Sequence, residues 1–369
     1  MRGARILMTL DAVGGVWRHS VDLAEGFQAR GAEVVLAGFG PEPVPEQRAE
    51  AERVATLVWA PEPLDWMAAV PEELAGVGHW IATEAARRGA THVWLNVPSQ
   101  AADLPRIPGD PTVIAMSHSC LGTWYAEVLD EPVPGPVAWL SALTRAGLER
   151  ADVVLAPSRS HADALARTYP GLDGIAAVWN ATVAPEAPAA TRSGVIAAGR
   201  WWDLAKNARC LDLAAAELDV PVTLLGAVRG PEGSVAQIRH AQAVGNLPAR
   251  AARRMVSEAE VFVSASHYEP FGLAVLEAAS GGAPLVLSDI ATFRELWDGV
   301  ALFFDPRDPD ALVARISEVR GDPGLARAMG AHAAERAARF SRAAQLDAIE
   351  DLLWPQAGRG SGTAGARAG

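Results

Sequence analysis

Lysine is nearly absent from this chain of 369 residues. Of its 32 cationic side chains, only Lys206 is a lysine. The drift to arginine is compositional, in a chain dominated by Ala, Gly, Pro and Arg. A position that keeps lysine against that drift suits a compact, flexible point charge rather than a planar fork. Cysteine is equally scarce: Cys120 and Cys210 are the only two, far apart in sequence. That excludes a disulfide framework and any zinc-finger spacing, so a reducing, cytoplasmic setting is expected. No stretch is apolar for long enough to span a bilayer. The first eleven residues lead straight into a folded pattern, which argues against a signal peptide. Positive charge is also in deficit. A net charge of -12 and a pI near 5.2 argue against nucleic acid as the main partner, because phosphate neutralisation drives such binding. They argue more weakly against a permanently bound anionic membrane. No short sequence repeat is present.

What the chain does have is apolar content and alternation. Half of its residues are hydrophobic and about a fifth charged, as in a globular protein long enough for two domains. Residues 4–9 read as a buried strand, 16–29 as a helix ended by Gly31, and 33–37 as the next strand. Such a βαβ unit implies a parallel sheet covered by helices. Further strands are expected at 91–95, 112–116 and 153–156. A second series follows at 194–198, 222–225, 261–264 and 284–288, and residues 311–340 are mostly helical. The pattern therefore predicts an α/β protein of two doubly wound, Rossmann-like domains facing across a cleft. The expected division is a first domain over 1–182, a Pro/Ala/Thr-rich linker over 183–193 and a second domain over 194–338. A final helix is expected over 339–354, and a disordered Gly/Ala/Ser/Arg-rich tail over 355–369. In doubly wound sheets ligands bind beyond the carboxyl ends of the strands, so the residues there carry the functional argument.

Gly14-Gly15 follows the first strand and opens a helix, where glycine lets backbone N–H groups approach a phosphate or sugar. The third glycine of a dinucleotide fingerprint has no counterpart. His118 follows the strand at 112–116 and can hold or relay a proton near neutral pH. Gly199-Arg200 closes another strand, and Lys206-Asn207 lies in the same loop. Two cations there suit a diphosphate, with Arg for oriented contacts and Lys for charge. Glu269-Pro270-Phe271-Gly272 reads as a turn, and a helix begins near Leu273 with free N–H groups and a dipole that favour an anion. Glu269 is expected at the loop rim and Glu277 a turn into the helix, where carboxylates can accept hydrogen bonds from a vicinal diol. Solvated charges and a tight β-to-α turn account for each of these features taken singly.

Taken together, the motifs resemble the retaining glycosyltransferases of family 4, which have the GT-B fold. The resemblance spans residues 5–354. It rests on Glu269 and Glu277 enclosing Pro-Phe-Gly-Leu, on Arg200 with Lys206-Asn207, on Gly14-Gly15, on His118, and on the runs Gly282-Ala283-Pro284 and Phe304-Asp305-Pro306. It implies that Arg200 and Lys206 stabilise the diphosphate leaving group of a nucleotide-sugar, with a UDP-sugar as the leading donor class. The N–H groups of Phe271, Gly272 and Leu273 would hold the same phosphates, Glu277 the ribose and Glu269 the donor sugar. Gly15 would touch phosphate or acceptor, and His118 would lie beside the reacting centre. Catalytic roles thus fall on His118, Glu269, Arg200 and Lys206. Gly14, Trp17 and Trp124 are candidates for holding a small hydroxylated acceptor, the two tryptophans by stacking. No metal or other cofactor is expected, since Asp308-Pro309-Asp310 reads as a helix start. A peripheral membrane enzyme acting on a lipid or cell-envelope acceptor, and a sugar-nucleotide-binding protein without turnover, are the alternatives. The protein is expected to act as a monomer or homodimer.

Overall fold

The computed structural model describes residues 1–182, 191–230 and 233–354. Most of the expected linker (183–190) and the whole expected tail (355–369) lie outside the described residues.

Two parallel sheets organise the chain. The first contains β1 (Arg5–Asp11), β2 (Glu33–Phe39), β3 (Thr56–Trp59), β4 (His92–Leu95), β5 (Thr112–Met116), β6 (Val153–Ala156) and β7 (Ala176–Ala177). Their order is β3-β2-β1-β4-β5-β6-β7. The second contains β8 (Val195–Ala198), β9 (Val222–Leu225), β10 (Gln242–Gly245), β11 (Val261–Ser264), β12 (Leu285–Ser288) and β13 (Leu302–Phe304), in the order β10-β9-β8-β11-β12-β13. All pairings within both sheets are parallel. Central strands such as β1, with every residue after Arg5 buried, are near-continuous apolar runs because helices cover both faces. The order reverses between β1 and β4 and again between β8 and β11, the two places where a parallel sheet opens a crevice for ligand.

The four strands the sequence did not announce, β3, β7, β10 and β13, are the edges of the two sheets. Edge strands are short and partly wet, and β10 is exposed along most of its length. Without a fully buried face they lack the apolar run that signals a central strand.

The helix Arg342–Leu353 packs on Gly15–Ala29 of the first domain, with Leu346 and Ile349 in that domain's core. The crossing is close: a methyl group on Gly26 would meet Leu346 Cδ1 at 2.6 Å. Arg30 pairs with Asp347 at 2.6 Å and with Glu350 at 2.8 Å, and Arg342 with Asp22 at 3.1 Å, all across that contact. A second junction lies at the start of the helix Arg159–Thr168. There Glu295 of the second domain accepts from the amides of Arg159 at 3.0 Å and Ser160 at 2.7 Å. A carboxylate from one domain thus caps a helix of the other, satisfying N–H groups that the helix itself leaves open. Among the described residues no helix is long and apolar enough to cross a membrane.

Candidate active site

The loops at both switch points face each other. After β1, Asp11 Oδ1 accepts from the Val13 amide at 2.7 Å and folds the chain back. Gly14 then takes φ 100°, a left-handed conformation that a side chain resists. From there the helix Gly15–Ala29 starts with no side-chain cap. Across the cleft Gly272, at φ 92°, starts the helix Leu273–Ser280, also uncapped by any side chain. A methyl group on Gly15 would lie 3.5 Å from Leu273 Cδ1, and one on Gly14 would lie 3.7 Å from a guanidinium nitrogen of Arg200. Two helix N-termini with open N–H groups, and one arginine, therefore converge on the same space. Such a place favours a bound anion.

The second domain supplies the charge. Arg200 follows β8; its guanidinium lies over the Trp202 ring at 5.5 Å and 3.5 Å from Asp203. Asp203 Oδ1 accepts from the Ala205 amide at 3.0 Å, starting the short turn that ends in Lys206. Asn207, in the left-handed region at φ 53°, fastens the loop from the other side. Its amide nitrogen donates to the carbonyls of Ala265 at 3.0 Å and Pro306 at 2.7 Å. Lys206 Nζ then meets Glu269 Oε2 at 2.6 Å, with both side chains largely shielded from water. Charge-assisted contacts of this length are strong, and each partner would be costly to leave alone.

Glu277 lies farther along its helix, and its carboxylate makes no hydrogen bond to a described residue. Burial pushes its carboxyl up to about 7, against the opposing pull of Arg253 and Arg18. Asp11 shows the same cause on the first-domain side. It is 5% exposed, and burial raises it to about 6 in spite of the Val13 amide and Arg200.

His118 is held by an amide web. Asn96 Nδ2 donates to the Thr9 carbonyl at 2.6 Å and to Ser20 Oγ at 3.0 Å, which fixes the amide's orientation. Its oxygen accepts from Trp94 Nε1 at 3.1 Å and from His118 Nε2 at 2.8 Å. The proton of His118 therefore sits on Nε2, and Nδ1 carries the lone pair. Burial, reinforced by His19 and His161, holds the ring well below the usual histidine range, so it is neutral near pH 7. His19 packs edge-on against it with ring centroids 4.6 Å apart.

The structure brings Gly14, Gly15, Arg200 and Leu273 together, and Lys206 against Glu269. It corrects one expectation. Trp17 is 3% exposed, lies in the first-domain core and donates Nε1 to Glu50 Oε2 at 3.2 Å. A residue in a helix's first turn can point inward as readily as outward, and this ring offers no face to an acceptor. Trp124 is half-buried and also occupied, donating Nε1 to Asp203 Oδ1 across the cleft at 2.9 Å. The Phe271 ring packs edge-on against Phe340 at 5.8 Å, which leaves only its backbone for a ligand. Asp11, Asn96 and Asp203 were not singled out by the sequence. Asp11 ends the first strand and was within reach of the strand-end rule; the other two work through contacts that only the fold creates.

An α/β protein with two facing parallel-sheet domains and paired anion-receptive loops has the architecture of a GT-B glycosyltransferase. Comparison with known families agrees. Residues 13–181 match the family model described as Glycosyltransferase Family 4, and residues 236–336 the model described as Glycosyl transferases group 1. The chain belongs to the family 4 glycosyltransferases. The glycogen synthase of Mycobacterium tuberculosis is 25% identical, over 93% of this chain and 88% of its own length. The alpha-maltose-1-phosphate synthase of Mycolicibacterium smegmatis is 29% identical over 69% and 74%. Among solved structures, sucrose-phosphate synthase from Thermosynechococcus elongatus superposes with a TM-score of 0.75 at 19% identity, covering 95% of this chain and 98% of that one. Anabaena HepE in complex with UDP-glucose gives 0.73 at 15%, covering 94% and 99%.

Proposed function

We propose that this glycosyltransferase moves a sugar, with retention of anomeric configuration, from a nucleoside-diphosphate donor to a hydroxyl of a small soluble acceptor. The observation that carries this reading is the convergence of two uncapped helix N-termini with Arg200, beside the Lys206–Glu269 pair. Arg200 and Lys206 neutralise the diphosphate as it departs. Lys206 exchanges its carboxylate partner for phosphate, which frees Glu269 for hydroxyls of the donor sugar. Glu277 accepts from the ribose hydroxyls. His118 Nδ1 accepts from a hydroxyl beside the reacting carbon.

The acceptor oxygen attacks the anomeric carbon on the face from which the diphosphate leaves. The bond from that carbon to the phosphate oxygen breaks as the new glycosidic bond forms, and the departing phosphate oxygen takes the acceptor's proton. No side-chain nucleophile is needed; leaving-group stabilisation and orientation carry the rate. The protein's own cations fill the role a metal would otherwise take, so we propose that turnover requires no metal or other cofactor.

The UDP-glucose of the HepE complex makes it the first donor to try, and the glucan and sugar-phosphate products named for the curated relatives supply acceptors to begin with. The test has two parts. Thermal stabilisation by UDP, ADP, GDP and dTDP is compared in the wild type and Lys206→Ala. Product configuration is then read by proton NMR with an α-linked donor. A β-linked product rules out retention, and the absence of any diphosphate response in the wild type rules out the donor class.

A further inference from the structure

Glu269 and His118 come from different domains, yet each adjoins one end of the same buried hydrogen-bonded chain. Tyr268 immediately precedes Glu269. Its hydroxyl lies 2.8 Å from Thr123 Oγ1 and 3.3 Å from His161 Nδ1, both in the first domain. His161 Nε2 lies 3.2 Å from Ser117 Oγ, and Ser117 immediately precedes His118. Tyr268 is 7% exposed and the other three members are 1% or less. On the far side of Glu269, the Pro270 carbonyl accepts from Ser158 Oγ at 2.7 Å. Ser158 also accepts from the His161 amide at 3.0 Å, capping the helix Arg159–Thr168. Both chain neighbours of Glu269 are therefore fastened to one helix start in the other domain.

The chemistry of the chain is consistent from end to end. Burial holds His161 down at about 4, so the ring is neutral and gives a hydrogen bond from one nitrogen while accepting at the other. Burial also raises the Tyr268 phenol, which keeps its proton. A neutral, buried chain of this kind fixes distance without adding charge to the cleft. The loop that carries Lys206 is tied differently. Asn207 holds the Lys206 loop to Ala265 and Pro306 within the second domain.

We propose that Tyr268, with Thr123 and His161, is a positioning device for transfer. It sets the Glu269 carboxylate against the His118 side of the cleft, so that the first domain decides where the donor sugar lies, while Lys206 and Glu277 hold the nucleotide from the second. The inference rests on the reading of Glu269 as the ligand of the donor sugar.

Tyr268→Phe deletes one oxygen and keeps the ring; Thr123→Val, in the same pair, serves if that variant fails to fold. Three quantities are read: steady-state kcat and KM with the donor, the UDP dissociation constant by calorimetry, and amide hydrogen exchange of residues 266–273 in the unliganded protein. A displacement of Glu269 by about an ångström predicts a kcat lowered about ten- to hundredfold. The UDP dissociation constant stays within about twofold, and exchange in the loop rises. His161→Phe gives the same pattern, and the double variant is no worse than either single one, as expected for members of one network.

A variant with wild-type kcat and a lowered melting temperature would make Tyr268 merely structural and overturn the proposal. So would a loss of UDP affinity as large as the loss of kcat. If the wild type transfers no sugar from any nucleotide donor, it is the functional reading that fails. The exchange measurement then decides the positioning claim by itself, and an unchanged loop in Tyr268→Phe overturns it.

Discussion

The two halves of the cleft are built on the same architecture and furnished in opposite ways. The second-domain half carries its function as charge on loops: Arg200, Lys206 and Glu269 are cation and carboxylate side chains held by one another and by Asp203. The first-domain half carries it as neutral polarity. His118, Asn96 and the uncapped start of Gly15–Ala29 offer lone pairs and N–H groups, and a carboxylate on this side, Asp11, is raised by burial toward its neutral form. The difference matches the two tasks proposed. A diphosphate must be neutralised before it can leave, whereas an acceptor hydroxyl must be oriented and not charged.

Breaking the charged half has the largest expected effect. Lys206→Ala removes a phosphate partner and strands Glu269, shielded and unpaired. The expected loss in kcat/KM is about a hundred- to thousandfold, together with the thermal response to the nucleoside diphosphate. Lys206→Arg should recover little, because a planar fork cannot take the place of a point charge in that turn. Recovery to near wild type in a transfer assay would show that the charge alone matters.

On the neutral half, Asn96→Ala removes the group that holds the His118 proton on Nε2. The expected result is about a tenfold fall in kcat with unchanged UDP affinity by calorimetry. An equal fall in both would place His118 against the nucleotide and erase the contrast between the halves.

The pH dependence sharpens the same comparison. The raised carboxyl of Glu277 titrates near 7 in the free protein, and the ionised form is the better acceptor for two ribose hydroxyls. Donor affinity should therefore rise as pH passes upward through about 7. Binding at pH 6 to 7 should release protons, visible as a buffer-dependent heat in calorimetry and absent in Glu277→Gln. Stability runs the other way. Because the native pKa lies above the unfolded one, the folded state binds the extra proton between about 4.5 and 7, and stability from this group falls as pH rises across that window.

The smallest effect is expected at Trp17. Trp17→Phe loses one hydrogen bond to Glu50, costing about 1 kcal/mol of stability, and leaves the KM for acceptor unchanged. A raised acceptor KM would return this ring to the cleft.

The contrast between the halves also explains what the sequence could tell. Arg200, Lys206, Glu269 and the helix start at Leu273 were legible because a charged side chain just past an apolar run has few reasons to be there, and the spacing of such residues survives in one dimension. The central strands were legible because a doubly covered strand must be a continuous apolar run; the edge strands β3, β7, β10 and β13 were not, since a half-wet strand has no such need. On the first-domain side the signal was weaker. Trp17 and Trp124 both stand next to loop motifs, and nothing in their order says that one is in the core and the other reaches Asp203 across the cleft.

The sequence by itself determined the two-sheet α/β plan, the strand-end loops and the residue types that make an anion site, because burial periodicity and turn chemistry act between near neighbours. Only the tertiary structure decided which side chains share a space. The pairing of Lys206 with Glu269, 63 positions apart, the tautomer of His118 set by Asn96, and the chain from Tyr268 through His161 to Ser117 all depend on long-range packing. Lys206 meets Glu269, and Asn96 meets His118, only after each sheet has folded, while Tyr268 meets His161 only after the two domains have closed on one another; no local pattern records which residues will be facing when they do.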